Sequence, residues 1–209
     1  MTGNRNEIEG NLRLHVDRLA GLIGPRTLQK PQTIQATIGY IEGQWAEMGY
    51  TNDRECYDAL GDEATNLIVE QPGSNRANEI VLLGAHYDTV CSTPGADDNA
   101  SAVAVLLEVS RLLREHTGKR TARYVAFACE EPPYFNVDAM GSQHHARRLH
   151  PGWLVCMEHP DASLNQLPPI LFGSLRIDLD QHSLIGCVAD QVQRFGIRGV
   201  VSVYVYLDA

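Results

Sequence analysis

The sequence has no CxxC pair, no apolar run of about eighteen residues and no surplus of Lys and Arg, and each absence removes a class of function. Its five cysteines (Cys56, Cys91, Cys129, Cys156, Cys187) are scattered and odd in number. That suits a reducing compartment better than a disulfide framework. Without a long apolar run nothing spans a bilayer, and the N-terminal stretch lacks the basic, apolar, small-residue order of a signal peptide. Lys and Arg number 17 against 26 Asp and Glu, a net charge of -9. A phosphate-binding face needs clustered cations, so nucleic acid is excluded as a partner. No internal repeat or low-complexity tract is present. These exclusions leave a soluble, cytoplasmic protein with a small or peptidic partner and no membrane contact.

The 209 residues, 44% of them apolar, suffice for one sizeable core, and a single domain over 1–209 is expected. Apolar spacing predicts a helix over about 8–23, stopped by Gly24-Pro25, and a second over about 32–48, ended by Gly49. The short runs Asn66–Val69 and Ile80–Leu83, separated by the turn-forming Pro72-Gly73-Ser74-Asn75, read as two strands of a hairpin, the second central. A strongly apolar helix is predicted over about 99–116, a buried strand over 124–128 and a helix over 141–149. Further on, 154–157 suits a short strand, 184–195 a helix and 200–207 a strand rich in Val and Tyr. Strands alternating with helices predict an α/β fold of three layers. The expected sheet is mostly parallel with one antiparallel hairpin, and helices cover both faces.

The chemistry gathers between Gly84 and Ser142. GAHYDTV ends one strand, PGADDNASAVAVLLEV leads into a helix, YVAFACEEPPYF ends another strand, and MGS follows. His86, Asp97, Glu130 and Glu131 are thus delivered to one sheet edge. Residues two apart on a strand point the same way, so Asp88 can accept a hydrogen bond from the ring nitrogen of His86 that a metal leaves unused. Alone, a His at a strand end is more often a satisfied core or surface group. In Asp97-Asp98-Asn99 the default is a helix cap, yet adjacent carboxylates repel unless a cation neutralises them. Glu130 and Glu131 end a buried strand before Pro132-Pro133, where open α/β sheets place their ligands. One can bind metal while the other serves as base for an activated water. His144 and His145 read as partly exposed helical residues, and Cys91 and Cys129 as small apolar packing.

The four motifs, in this order and approximate spacing, resemble those of the co-catalytic zinc aminopeptidase family of clan MH, which also holds glutaminyl cyclases and carboxypeptidases. LAGLIGPR and WAEMGY are similar to the start of that domain, and the likeness runs over about residues 10 to 160. It implies two zinc ions, with His86 a ligand, Asp97 the bridging carboxylate, Glu131 a ligand of the other ion and Glu130 the general base. Asp88 is then the partner of His86, and Glu158, in Val-Cys-Met-Glu, the further carboxylate ligand. The family's last ligand is a histidine near the C-terminus. His159 and His182 stand in the wrong contexts for it, so one of the two zinc sites is expected to be weak. The tail beyond about 160 departs from the family, as a truncated or frame-changed chain would. The implied activity is removal of N-terminal residues from peptides by a metal-activated water. The rivals are a single-zinc, glutaminyl-cyclase-like acyl transfer and a non-catalytic remnant that binds a protein partner.

Overall fold

The computed structural model describes residues 5–149 and 202–206. Helix α1 (Arg5–Val16) runs into a wider π-helical segment (Asp17–Ile23) that closes at Gly24, whose φ of 80° reverses the chain. Helix α2 (Pro31–Glu47) begins on a proline, which fits a first helical turn because its missing N–H has no partner there anyway. Strands β1 (Asp53–Ala59), β2 (Asp62–Gln71) and β3 (Arg76–His86) follow, then helix α3 (Ser101–Leu113), β4 (Arg120–Phe127), helix α4 (Gly141–Leu149) and β5 (Ser202–Tyr206). The expected elements over 154–157 and 184–195 lie outside the described residues.

The sheet corrects the expectation of a mostly parallel arrangement. Its order is β1-β2-β4-β3-β5, and of the four pairings only β3 with β4 is parallel. The hairpin is also elsewhere. It joins β1 to β2 through Leu60-Gly61, both at positive φ (58° and 92°), the backbone that a two-residue turn between twisted strands requires. The segment between β2 and β3 does not fold back on itself. It passes over the start of β4, with Ser74 N bonded to Gly118 O at 3.0 Å and Arg76 N to Lys119 O at 2.9 Å. Gly73 permits this crossing, since a Cβ there would lie 2.5–2.8 Å from the Arg120 and Thr121 backbone. So β4 separates β2 from β3, running antiparallel to one and parallel to the other.

Alternation along the central strands divides the core. Leu67, Val69, Val81, Leu83, Tyr124 and Ala126 face α2 and α3, where Trp45, Leu106 and Leu107 are fully buried. Ile68, Leu82, Val125 and Phe127 face the other way. The Phe127 ring meets that of His145, on α4, at 5.9 Å, so helices occupy both faces. Helix α3 is buried along most of its length, as a helix between sheet and second helical layer must be. Trp45 Nε1 donates to Ser110 Oγ at 3.1 Å, which satisfies the only polar atom of the largest core side chain. Among the described residues no helix is long and apolar enough to cross a membrane.

Candidate metal centre

The parallel pair β3–β4 sets the site. His86 lies opposite Phe127, and Tyr87 N continues the ladder to Phe127 O at 2.9 Å. Beyond β4, Cys129 takes a left-handed backbone (φ 60°). The chain turns there, and the next two N–H groups meet the Asp88 carboxylate, from Glu130 at 3.1 Å and Glu131 at 3.0 Å. Asp88 thereby stitches the end of β3 to the loop that carries both glutamates.

The His86 ring is buried between carboxylates. Its Nε2 is 3.0 Å from Asp98 Oδ1 and 3.7 Å from Glu130 Oε2. Its Nδ1 is 3.5 Å from Asp88 Oδ1, close enough for charge attraction but without the alignment of a hydrogen bond. Burial alone would lower the His86 pKa. The carboxylates of Asp88, Asp98 and Glu130 outweigh it and raise the imidazole to about 10. Glu131 moves up as well, to about 7, first through burial and then through repulsion from Asp98, Glu130 and Asp88, with His86 opposing.

The sequence reading placed Asp97 in this cluster, whereas the structure brings Asp98 to His86. The reason is local. Gly95 is left-handed (φ 58°, ψ 55°), and within the turn Ala96–Ala100 both Asp98 (φ -114°, ψ 92°) and Asn99 (φ -138°, ψ 38°) leave helical geometry. A side chain at Asp98 is therefore thrown out of the turn and across to His86, with 56% of it exposed. Asp97 stays an exposed residue of the turn, its carbonyl accepting Ser101 Oγ at 2.7 Å as α3 begins.

Two further residues escaped the sequence reading. Asn66, fully buried in β2, accepts the Ala128 N–H at 3.0 Å and donates to Gly141 O at 2.9 Å and Glu55 Oε2 at 2.7 Å. It pins the end of β4 and the start of α4 together. The only signal was a polar residue heading an apolar strand. Arg26, also fully buried, is the other. His144 and His145 do not join the centre. His145 is buried rather than partly exposed, its Nδ1 3.0 Å from Glu55 Oε2, and His144 stacks on Tyr57. Burial pushes the Cys129 thiol up to about 12, so it packs as a neutral group. Glu158, His159 and His182 lie outside the described residues.

Among the described residues, no group of three or more His, Cys, Asp or Glu is gathered closely enough to hold a metal ion as it stands. The His86–Asp98 pair nevertheless fits one. Ligands at about 2.0–2.1 Å around a tetrahedral zinc sit about 3.3 Å from one another, and the 3.0 Å between Nε2 and Oδ1 needs only slight opening. Nδ1, which makes no hydrogen bond, faces the carboxylate that would orient the ring.

Residues 66–160 match the model of Peptidase family M28. The uncharacterized protein YfbL of Escherichia coli strain K12 is 34% identical over 139 residues, 63% of this chain and 42% of its own. Aminopeptidase YwaD of Bacillus subtilis strain 168 is 35% identical over 85 residues, 40% of this chain and 18% of its own. The glutaminyl cyclase of Porphyromonas gingivalis superposes with a TM-score of 0.57 at 25% identity, over 68% of this chain and 53% of that one. The chain thus spans well under two thirds of each.

Proposed function

As a member of the clan of M28 and glutaminyl-cyclase-like peptidases, the chain, we propose, carries a one-metal centre that works on the amino end of peptides by glutaminyl-cyclase-like acyl transfer. The observation that carries this reading is the opposition of His86 Nε2 and Asp98 Oδ1 across 3.0 Å, a single donor pair at the end of the central strands. His86 and Asp98 would hold the metal, Glu131, whose carboxylate feels the charges of Asp98 and His86, is proposed as a further donor, and Glu158 for the remaining position. A zinc ion held there would supply Lewis-acid polarisation of a substrate carbonyl.

The chain's own residues supply the rest. Asp88 fixes the two glutamates through their N–H groups and faces the free nitrogen of His86. Glu130, its carboxylate 3.7 Å from Nε2, is the proton shuttle. With an N-terminal glutamine, the α-amine attacks the side-chain amide carbon and forms the new C–N bond. Glu130 takes the amine's proton and returns it to the departing nitrogen, which leaves as ammonia. Peptide hydrolysis is the second reading, favoured by the M28 match and the likeness to an aminopeptidase. There water replaces the amine, and Glu130 moves its proton to the leaving amine of the shortened peptide.

Mass spectrometry of products separates the readings. The full chain, supplied with zinc, is incubated with one peptide headed by Gln and one headed by Leu. Loss of ammonia from the first alone is the expected result. Release of the first residue from either establishes hydrolysis, and unchanged peptides in the presence of bound zinc leave a non-catalytic binding protein.

A further inference from the structure

Arg26 has no exposed surface, an unusual position for a guanidinium because burying a charge is costly unless it is fully paired. It is paired here through backbone. Nε donates to Tyr87 O at 2.8 Å, Nη1 reaches Pro94 O at 2.7 Å, Leu19 O at 3.1 Å and Gly24 O at 3.1 Å, and Nη2 donates to Gly95 O at 3.0 Å. The backbone joins in, with Arg26 N on Thr89 Oγ1 at 3.0 Å and Thr89 N on Arg26 O at 2.8 Å.

The acceptors belong to three segments. Leu19 and Gly24 close the first helical stretch, Tyr87 sits between His86 and Asp88, and Pro94 and Gly95 form the turn that precedes Asp98. Gly95 is packed against the same head group, since a Cβ there would come within 3.1 Å of Arg26 Nη2 and would overlap Asp98 O. Burial lowers the guanidinium to about 10, with the charges of Asp88 and Asp98 opposing, so it stays protonated at neutral pH.

Resting on the metal-centre reading above, we infer that Arg26 is a positioning residue for that centre: one buried guanidinium fixes the β3 exit and the Asp98 turn relative to each other, and so sets the His86–Asp98 separation. Two consequences oppose each other. A fixed positive charge beside the ligands repels a cation, so removing the charge alone would tighten metal binding. Losing the clamp lets the two donors drift, which weakens it. The planar fork of five donors spread over three segments makes the second effect dominant, because no other side chain can span those carbonyls. Lys, with the charge but a single point of attachment, does not replace it.

The test is a zinc titration of the full chain against a chelating indicator, run beside thermal melting of the metal-free protein. The variants are Arg26→Lys, Arg26→Met and Thr89→Val, with His86→Ala as the binding-dead control. Zinc affinity is expected to fall by about tenfold to a hundredfold in both Arg26 variants, the size seen when a group behind the ligands is removed. Thr89→Val, which removes the hydroxyl that accepts the Arg26 N–H and donates to Val90 O, is expected to fold and to lose affinity severalfold. A purely structural Arg26 would lower the melting temperature and leave the affinity of the folded protein unchanged. That result, or tighter zinc binding by Arg26→Met, overturns the inference. Should neither Arg26 variant fold, unchanged affinity in Thr89→Val overturns it. A parent chain that binds no zinc refutes the metal-centre reading itself, and this inference with it.

Discussion

Removing the Asp88 carboxylate perturbs the centre without touching a ligand. The residue is 4% exposed, and its carboxylate accepts two backbone N–H groups, at 3.1 and 3.0 Å. Hydrogen bonds to a charged acceptor contribute about 1.5–3 kcal/mol each, and a buried donor left unpaired costs on the order of 1–3 kcal/mol. Asp88→Ala therefore loses about 3–6 kcal/mol before any relief. Relief exists, because Asp88 also repels Glu131, and a net loss of about 3 kcal/mol is expected. Against a typical total of about 5–15 kcal/mol the variant still folds. Asp88→Asn is no milder, since an amide has one acceptor oxygen and would turn its NH2 towards one of the two N–H groups. Urea unfolding of the metal-free protein measures the stability, and a parallel titration should show zinc affinity reduced about tenfold to a hundredfold. A change below about 1 kcal/mol with zinc affinity intact would refute the argument that Asp88 organises the glutamate loop.

Other outcomes follow from the same geometry. Gly141→Ala should destabilise by about 3 kcal/mol or more in urea unfolding, because a Cβ there overlaps Asn66 Oδ1 and lies 2.6 Å from Ala128 O; a silent substitution would contradict the Asn66 clamp. Glu130→Gln should abolish turnover and keep bound zinc, whereas Glu131→Gln should lower zinc content, and equal zinc loss in both would reverse the assignment of roles. The metal-free protein should lose stability as pH rises. Glu131, raised from an ordinary 4.5 to about 7, and His86, raised from 6.5 to about 10, both bind more protons folded than unfolded. Their contribution is complete below about pH 4.5 and is lost through about pH 7 and on towards 10. His15, lowered by burial from 6.5 to about 4, acts in the opposite sense up to about pH 6.5. A urea midpoint that climbs between about pH 6.5 and pH 8 is therefore the result that would show the account of the His86 and Glu131 environments to be mistaken.

Legibility in the sequence tracked how local the determining physics is. Helix α3 and strand β4 announce themselves through continuous apolar residues, and their predicted ranges agree with the structure within a few residues. Strand β1 does not. Its inward positions are Glu55, Tyr57 and Ala59, and Glu55 is tolerable there because Asn66, His145 and Arg148 pair with it. Without β1 the sequence places the hairpin one strand too late and suggests a mostly parallel sheet where the sheet is mixed and mostly antiparallel. Nothing in the run Pro72–Asn75 distinguishes a turn that folds back from one that crosses a strand, because the strand it crosses comes some forty residues later. At the centre, the spacing of His86 and Asp88 told that the two side chains share a side. Choosing between Asp97 and Asp98 depended on backbone angles at Asp98 and Asn99 that a helix-cap reading of the same tripeptide does not contain. Arg26 carries no sequence signal because its partners are carbonyl groups, which leave no mark in the sequence.

The central claim, that His86 and Asp98 face each other as ligands of one metal, is tested most directly by zinc stoichiometry after dialysis of the parent, Asp97→Asn and Asp98→Asn. One zinc per chain in the parent and in Asp97→Asn, with none retained by Asp98→Asn, is the predicted result. Zinc lost from Asp97→Asn and kept by Asp98→Asn would contradict it.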